Sequence, residues 1–449
     1  MSASARAIVL AAGKGTRMKS RTPKVLHELC GRTMLAHVLK TVGAAGASDV
    51  LAVINPELRE ACAALGIASV VQEPQLGTGH AMQLAMAAVR GDDLPVLVVS
   101  ADMPLLTAEL LEAVVAARAV HNAPLAMVTA HVPLPTNFGR IVRQGGRVMR
   151  IVENADCTLA ERSIDEVNAG VYCFDSSTLR RHLAQLKPNN KQGELYVTDC
   201  IAAIVDEGGR IDTVDSEDRR LVMGVNNRVE LAAARAVMQE SILQRHMLAG
   251  VTVVDPASTY VGVDVTIEPD VTILPQSHLM GATGVARGSV LGPSVQLDNA
   301  QIGEECVIRW SVIKDSTVGA HVTIGPFAHL RDGAVVEDGA HIGNFVELKK
   351  TRMGRGAKAG HLAYLGDATL GAKVNIGAGT ITCNYDGTTK HATEIGEGAF
   401  IGSNSSLVAP VKIGAGAKTG AGSVVTHDVP PGEQVAGVPA RPMPKKTKR

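Results

Sequence analysis

The chain has 449 residues, enough for two or three domains, and its 44 Lys plus Arg balance 44 Asp plus Glu, so no acidic or basic partner is implied by charge. Aromatics are only 2% of the residues, which argues against nucleic-acid binding through a basic face with exposed rings. Seven scattered cysteines (Cys30, Cys62, Cys157, Cys173, Cys200, Cys306, Cys383) form no C-x-x-C pair, and no apolar run reaches the length of a membrane span, so a soluble cytoplasmic protein is expected, without disulfide framework, zinc site or membrane insertion.

Up to residue 227 the pattern alternates. Apolar runs at 7–12 (AIVLAA), 50–54, 68–71 and 95–100 (PVLVVS) read as buried parallel strands, and helical patterns at 33–45, 79–90 and 107–119 separate them. This βαβ order predicts a Rossmann-like, doubly wound α/β domain over 1–227, with ligands at the carboxyl ends of its strands. A later β-rich stretch, turning at Gly145-Gly146, is expected to form a subdomain over one edge.

The first strand runs into LAAGKGTRM (10–18) and then Pro23-Lys24. Gly13 and Gly15 allow backbone N–H groups to approach phosphate oxygens, and Lys14, Arg17 and Lys24 can offset triphosphate charge. It is not a P-loop, because Gly15 stands where Ser or Thr belongs. Nor is it a dinucleotide fingerprint, because Met18 occupies the third glycine position and the second strand ends in Asn55-Pro56. A plain βα turn accounts for the loop equally well. Asp102, just past the strand 95–100, stands where a phosphate-bound Mg²⁺ would sit, or simply caps a turn before Pro104. QEPQLGTGHA (72–81) is a second Gly-rich turn opening a helix. Three such loops on consecutive strand ends point to a nucleotide more strongly than any one of them.

Residues 228–250 read as a helical linker, with Asn227 and Glu230 in capping-box spacing, Gly250 as its stop, and Leu231, Met238, Ile242 and Leu248 as packing residues. From Val261 an aliphatic residue then recurs at every sixth position: Ile267, Ile273, Leu279, Val285, Leu291, Leu297. The rhythm slips by one at Ile302, resumes as Ile324, Leu330, Val336, Ile342 and Leu348, and returns from Ile395 to Ile413. Neither a helix nor a period-2 strand gives a sixfold repeat, whereas a parallel β-helix does, with glycine relieving its corners. Such repeats also serve as pure scaffolds or trimerising appendages, so the second half is either catalytic, a trimerisation or regulatory module, or part of a non-catalytic assembly subunit. Two segments bear reactive residues: KAGHLAYLGD (358–367), with His361, and a polar interruption at 381–396. A lone histidine in a solenoid is usually structural, but Arg331 and Lys349 offer charge for a sugar phosphate.

The G-x-G-T-R…P-K loop, QLGTGHA, Asp102, FGR (138–140), IVE (151–153), NAG (168–170) and GVNN (224–227), followed by the hexapeptide region, resemble the bacterial bifunctional N-acetylglucosamine-1-phosphate uridyltransferase/glucosamine-1-phosphate acetyltransferase family over nearly the whole chain. The resemblance implies a left-handed β-helix over 251–449, ending in a basic tail, and a homotrimer with acetyl-CoA between subunits. It implies two reactions: acetylation of glucosamine-1-phosphate, then Mg²⁺-dependent uridylyl transfer from UTP to N-acetylglucosamine-1-phosphate. On the nucleotide side it implies roles for Leu10, Ala11, Ala12, Gly13, Arg17, Lys24, Gln72, Gly77, Thr78, Ser100, Ala101 and Asp102, with Asp102 and Asn226 holding the metal. Gly139, Glu153 and Asn168 would meet the acetylated sugar. In the second half Arg331, Lys349, Tyr364 and Asn375 would bind glucosamine-1-phosphate, His361 would act as general base, and Ala378, Asn384, Tyr385, Ser403 and Ala421 would contact acetyl-CoA. Two positions depart from the family: Ser100-Ala101 replaces a pair usually ending in glycine, and Gly437 stands where an arginine for coenzyme A is usual. Arg441 or Lys445-Lys446 is expected to supply that charge.

Overall fold

The run RAIVLA forms β1 (Arg6–Ala11), five of whose six residues are buried, at the centre of a nine-stranded sheet. The computed structural model describes residues 4–91, 93–188 and 193–443 and separates the chain into two units, Met1–Met238 and Gln239–Arg449. In the first unit β1 pairs in parallel with β2 (Asp49–Ile54) on one side and with β4 (Val96–Ser100) on the other, and β3 (Ala68–Val71) extends the sheet beyond β2. The four apolar runs are therefore parallel strands, as their sequence predicts. Beyond β4 lie β8 (Glu166–Phe174), antiparallel to it, then β5 (Leu125–His131) and β9 (Ile211–Asp215). The stretch around Gly145-Gly146 is a hairpin, β6 (Arg140–Gln144) and β7 (Arg147–Val152), joined to the same sheet where Arg140 lies opposite Val167.

Successive strand residues face opposite sides, so β1 feeds two cores. Ala7 and Val9 pack with α1 (Met34–Ala44) and α3 (Ala108–Val120) through Leu35, Val38, Leu111 and Val114. Ile8 packs with α2 (Thr78–Ala88), α4 (Ser176–Leu183) and α5 (Asp199–Asp206) through Met82, Met86, Leu179 and Ile201. Trimming Ile8 to alanine would cost about 2–5 kcal/mol. Because α1, which follows β1, and α2, which follows β3 and leads into β4, cover opposite faces of the sheet, the carboxyl edge at β1 opens as a crevice.

The second unit is a parallel β-helix. Tyr260 pairs with His278 and Thr272 with Val290, 18 residues on, which makes three hexads per coil. The coil shortens after Ile302: Gln301 pairs with Thr317, 16 residues on, and Thr323 with His341 restores 18. Inward residues such as Leu279, Leu297, Ile342, Leu365 and Ile401 are fully buried. The corners differ from expectation. Many left-handed positions are held not by glycine but by Asp270, Trp310, Phe327, Phe345, Leu362 and Asp367, among others. Stacked coil hydrogen bonds, such as Phe327 N to Trp310 O at 2.8 Å, hold those strained residues in place.

The helix α6 (Arg228–Leu248) fills the span read as a linker. Its buried residues are Leu231, Ala234, Gln239, Ile242, Leu243 and His246; Leu248, expected to pack, is 82% exposed.

Candidate active sites

The glycine loop places a lysine on the sheet edge. Gly15 has φ +61°, and a Cβ there would lie 2.5 Å from that of Lys24, so the loop closes over the lysine stem only as glycine. Lys24 Nζ then lies 2.5 Å from Asp102 Oδ2 and 3.2 Å from Asn226 Oδ1, while Arg17 donates to Asn226 Oδ1 at 2.9 Å. The α6 cap fixes Asn226: Glu230 accepts from its backbone N–H at 2.6 Å, and the Asn227 side chain accepts from Val229 and Glu230. Val225 N–H donates to Asp102 O at 2.8 Å, which ties the two oxygen donors together through the backbone.

Lys24 and Asp102 border a cleft of about 460 Å³ lined also by Leu10, Ala11, Ala12, Gly13, Gln72, Gly77, Thr78 and Ser100. Gln72 donates to Gly77 O at 2.9 Å, so these two lining residues support each other. Ala101 is not part of the lining. Its N–H donates to Leu10 O and its methyl lies in the core, fully buried, so the departure from glycine points away from the cleft.

At the neighbouring strand ends, Gly139, Glu153 and Asn168 adjoin. Asn168 N–H donates to Gly139 O at 2.9 Å, and a Cβ on Gly139 would sit 3.4 Å from Glu153 Oε2. Burial pushes the Glu153 carboxyl above its ordinary pKa; a hydrogen bond from Thr198 at 3.4 Å opposes this, and Asp156 and Asp199 add to it.

In the β-helix, coil registration gathers a second set. Arg331 lies beside Lys349, Glu347 beside Tyr364, and Asn344 beside His361. Arg331 is held by Glu347 at 2.8 Å, and Asn384 donates to Asp367 at 2.6 Å. The Tyr364 hydroxyl and the Asn384 amide both close on Gly366, where a Cβ would meet them at 2.5 and 2.7 Å. The polar interruption lengthens its coil: Thr369 pairs with Glu394, 25 residues on. The extruded loop carries Tyr385, which is exposed, and brings Lys390 against Lys349, whose ammonium, as hydrogen-bond partner and like charge, holds the Lys390 pKa below its ordinary value. Ala378 and Ser403 stack at one corner, where Asn404 N–H donates to Ala378 O at 2.7 Å and Gly422 N–H to Ser403 O at 2.8 Å, with Ala421 next in line. Gly379 N–H donates to Leu362 O, so this column continues to the residue after His361. Asn375 sits on the adjoining face, paired with Lys358.

Two family models match the chain: the MobA-like NTP transferase domain over residues 7–199, and the bacterial transferase hexapeptide of six repeats over 315–350 and 392–427. The chain is 44% identical over 427 residues to the bifunctional protein GlmU of Geobacillus sp. strain WCH70, covering 94% of this chain and 93% of that one. It is 45% identical over 431 residues to the GlmU of Trichlorobacter lovleyi, covering 95% and 94%. The chain belongs to the bifunctional GlmU family. It is accordingly a bifunctional enzyme, with a nucleotidyltransferase unit followed by a left-handed β-helix acyltransferase unit.

Several residues near the sites escaped the sequence reading. Asn344 accepts from His361 Nδ1 at 2.6 Å; it precedes His361 by 17 residues, one shortened coil, and only exact coil registration would have paired them. Asp367 and Lys390 were passed over because isolated charges in polar stretches look like solvated surface, whereas Glu230 was read only as part of a helix cap. The Lys445-Lys446 tail lies outside the described residues, and Arg441 stands exposed on the strand Ala440–Pro442, opposite Ala436.

Proposed function

We propose that the C-terminal unit transfers acetyl from acetyl-CoA to glucosamine-1-phosphate, and that the N-terminal unit joins the N-acetylglucosamine-1-phosphate so formed to the uridylyl group of UTP, releasing pyrophosphate. The observation that carries the uridylyl reading is the convergence of Lys24, Asp102, Asn226 and Arg17 at the mouth of a glycine-lined cleft. A sugar phosphate oxygen attacks the α-phosphorus of UTP and pyrophosphate departs, with no covalent enzyme intermediate. Catalysis is then positioning and charge neutralisation: loop N–H groups and Lys24 and Arg17 face the phosphates. Asp102 and Asn226 would hold Mg²⁺, which supplies further neutralisation of phosphate charge. The fit rests on two hard oxygen donors turned to one point, where they share the Lys24 ammonium.

In the second unit, Asn344 Oδ1 faces His361 Nδ1, so that nitrogen carries the proton and Nε2 offers its lone pair. Nε2 takes a proton from the glucosamine amine as its nitrogen attacks the thioester carbonyl; the C–S bond breaks and the coenzyme leaves as its thiol. Arg331, Lys349 and Tyr364 bind the sugar phosphate, Asn375 supports it from the adjoining face, and the column of Ala378, Ser403 and Ala421, with Asn384 and Tyr385, receives acetyl-CoA.

A homotrimer is part of the proposal. Trp310, Phe327, Phe345 and Leu362 are 42, 54, 55 and 59% exposed along one corner, with the two phenylalanine rings stacked at 5.3 Å. Large apolar side chains in left-handed backbone, uncovered and in a row, fit burial against a second copy beside His361. No helix among the described residues is long and apolar enough to cross a membrane, which accords with a cytoplasmic place. The test uses two variants: Asp102→Asn should abolish uridylyl transfer and spare acetyl transfer, and His361→Ala should do the reverse. Loss of both activities in either variant contradicts the assignment.

A further inference from the structure

Arg140 is 2% exposed, and none of its described partners is a carboxylate. Its guanidinium donates to Phe138 O, to Thr136 O at 2.8 Å and to Asn154 Oδ1 at 3.3 Å, while its Nε finds no acceptor among the described residues. Burying a cation against neutral acceptors is costly, and a turn needing only stability would do better with an apolar side chain. The partners explain the placement. Thr136 and Phe138 belong to the strap that delivers Gly139, and Asn154 follows Glu153 in the turn just past β7. A Cβ on Gly139 would come within 3.0 Å of Ile151 Cγ2, so the two segments meet with no slack. Asn154 also donates to Asn137 Oδ1 at 3.4 Å, a second and weaker tie between the same segments. One rigid fork thus grips both sides of the rim on which Gly139 and Glu153 stand.

We propose that Arg140 is a positioning residue for the sugar phosphate: it sets the separation of Gly139 and Glu153, and with it selection of the acetylated sugar, without touching substrate. This rests on the reading of Gly139, Glu153 and Asn168 as the sugar subsite. Lysine keeps the charge but has no fork, so Arg140→Lys separates position from charge. In the full-length enzyme with Mg²⁺, Arg140→Lys should raise the KM for N-acetylglucosamine-1-phosphate about tenfold, with kcat nearly unchanged, because uniform binding is what is lost. The KM for UTP and acetyl transfer should stay within about twofold of the parent. Calorimetric UTP binding reports whether the first unit is folded; should Arg140→Lys fail that control, Asn154→Ala, which removes one tine of the grip, replaces it with a smaller rise in the same KM. Glu153→Gln is the reference. If it raises the sugar-phosphate KM and neither Arg140→Lys nor Asn154→Ala does, the positioning role is overturned while the subsite reading stands. If Glu153→Gln also leaves that KM unchanged, the subsite reading falls and the role of Arg140 with it. Equal rises in the KM for UTP and sugar phosphate would mark Arg140 as a general support of the fold and overturn the proposal.

Discussion

His361 and Asn344 face each other across one coil of the β-helix, with the imidazole Nδ1 2.6 Å from the amide oxygen. The pairing gives the histidine a defined tautomer, with Nε2 left as the acceptor that the proposed base role needs. His361→Ala should lower kcat for acetyl transfer by about 10²–10⁴-fold. Asn344→Ala, which frees the ring but keeps it, should cost about tenfold, equivalent to about 1.4 kcal/mol in the barrier. Steady-state rates with glucosamine-1-phosphate and acetyl-CoA check both, and equal rates for Asn344→Ala and the parent would remove the orienting role.

Glu153 links stability to pH. Its pKa is raised from the ordinary 4.5 chiefly by burial. The folded state therefore binds more protons than the unfolded state between 4.5 and the higher folded value. Stability conferred by the neutral carboxyl is full below that window and is lost as pH rises through it. Glu153→Gln, neutral throughout, should unfold at a higher temperature than the parent at pH 7, with the gap closing as pH falls towards 4.5. The same variant should bind the sugar phosphate less well. Thermal unfolding across pH reads the first effect, and a gap that stays constant with pH would contradict it.

The apolar corner gives a third expectation. Replacing Phe327 and Phe345 together by serine should convert a trimer to smaller species in sedimentation, because two stacked, half-exposed rings lose their cover. Acetyl transfer should fall with it and uridylyl transfer should persist. A double variant that sediments as the parent does would place the interface elsewhere.

Arg441 tests the missing arginine. Ala436, its partner across the terminal hairpin, is the side chain that a Cβ on Gly420 would meet at 2.9 Å, so the hairpin lies beside Ala421. Arg441→Ala should raise the KM for acetyl-CoA severalfold through lost phosphate charge. If both Arg441→Ala and removal of the Lys445-Lys446 tail leave that KM unchanged, neither supplies the charge.

What the sequence makes legible follows from how local each signal is. The four parallel strands are continuous apolar runs and the β-helix is a sixfold aliphatic rhythm, and each appears where its pattern lies. The glycine loop is legible because Gly15 has one backbone solution against Lys24. The left-handed corners occupied by Trp310 or Leu362 were not, since stacked neighbours and not residue type impose them. Leu248 shows the converse: its neighbours in sequence suggested the wrong face, and only packing decides that it looks out to solvent. Asn344 pairs with His361 across a coil, 17 residues away, a separation that no short motif records, and Arg140, though it lies in the FGR motif, also reaches Asn154, 14 residues on.

The most direct test is mass spectrometry of the products formed by the purified chain from glucosamine-1-phosphate, acetyl-CoA, UTP and Mg²⁺. UDP-N-acetylglucosamine is the predicted product. Absence of any acetylated species, while added N-acetylglucosamine-1-phosphate is still converted with UTP, would make the β-helix a scaffold and contradict the bifunctional account.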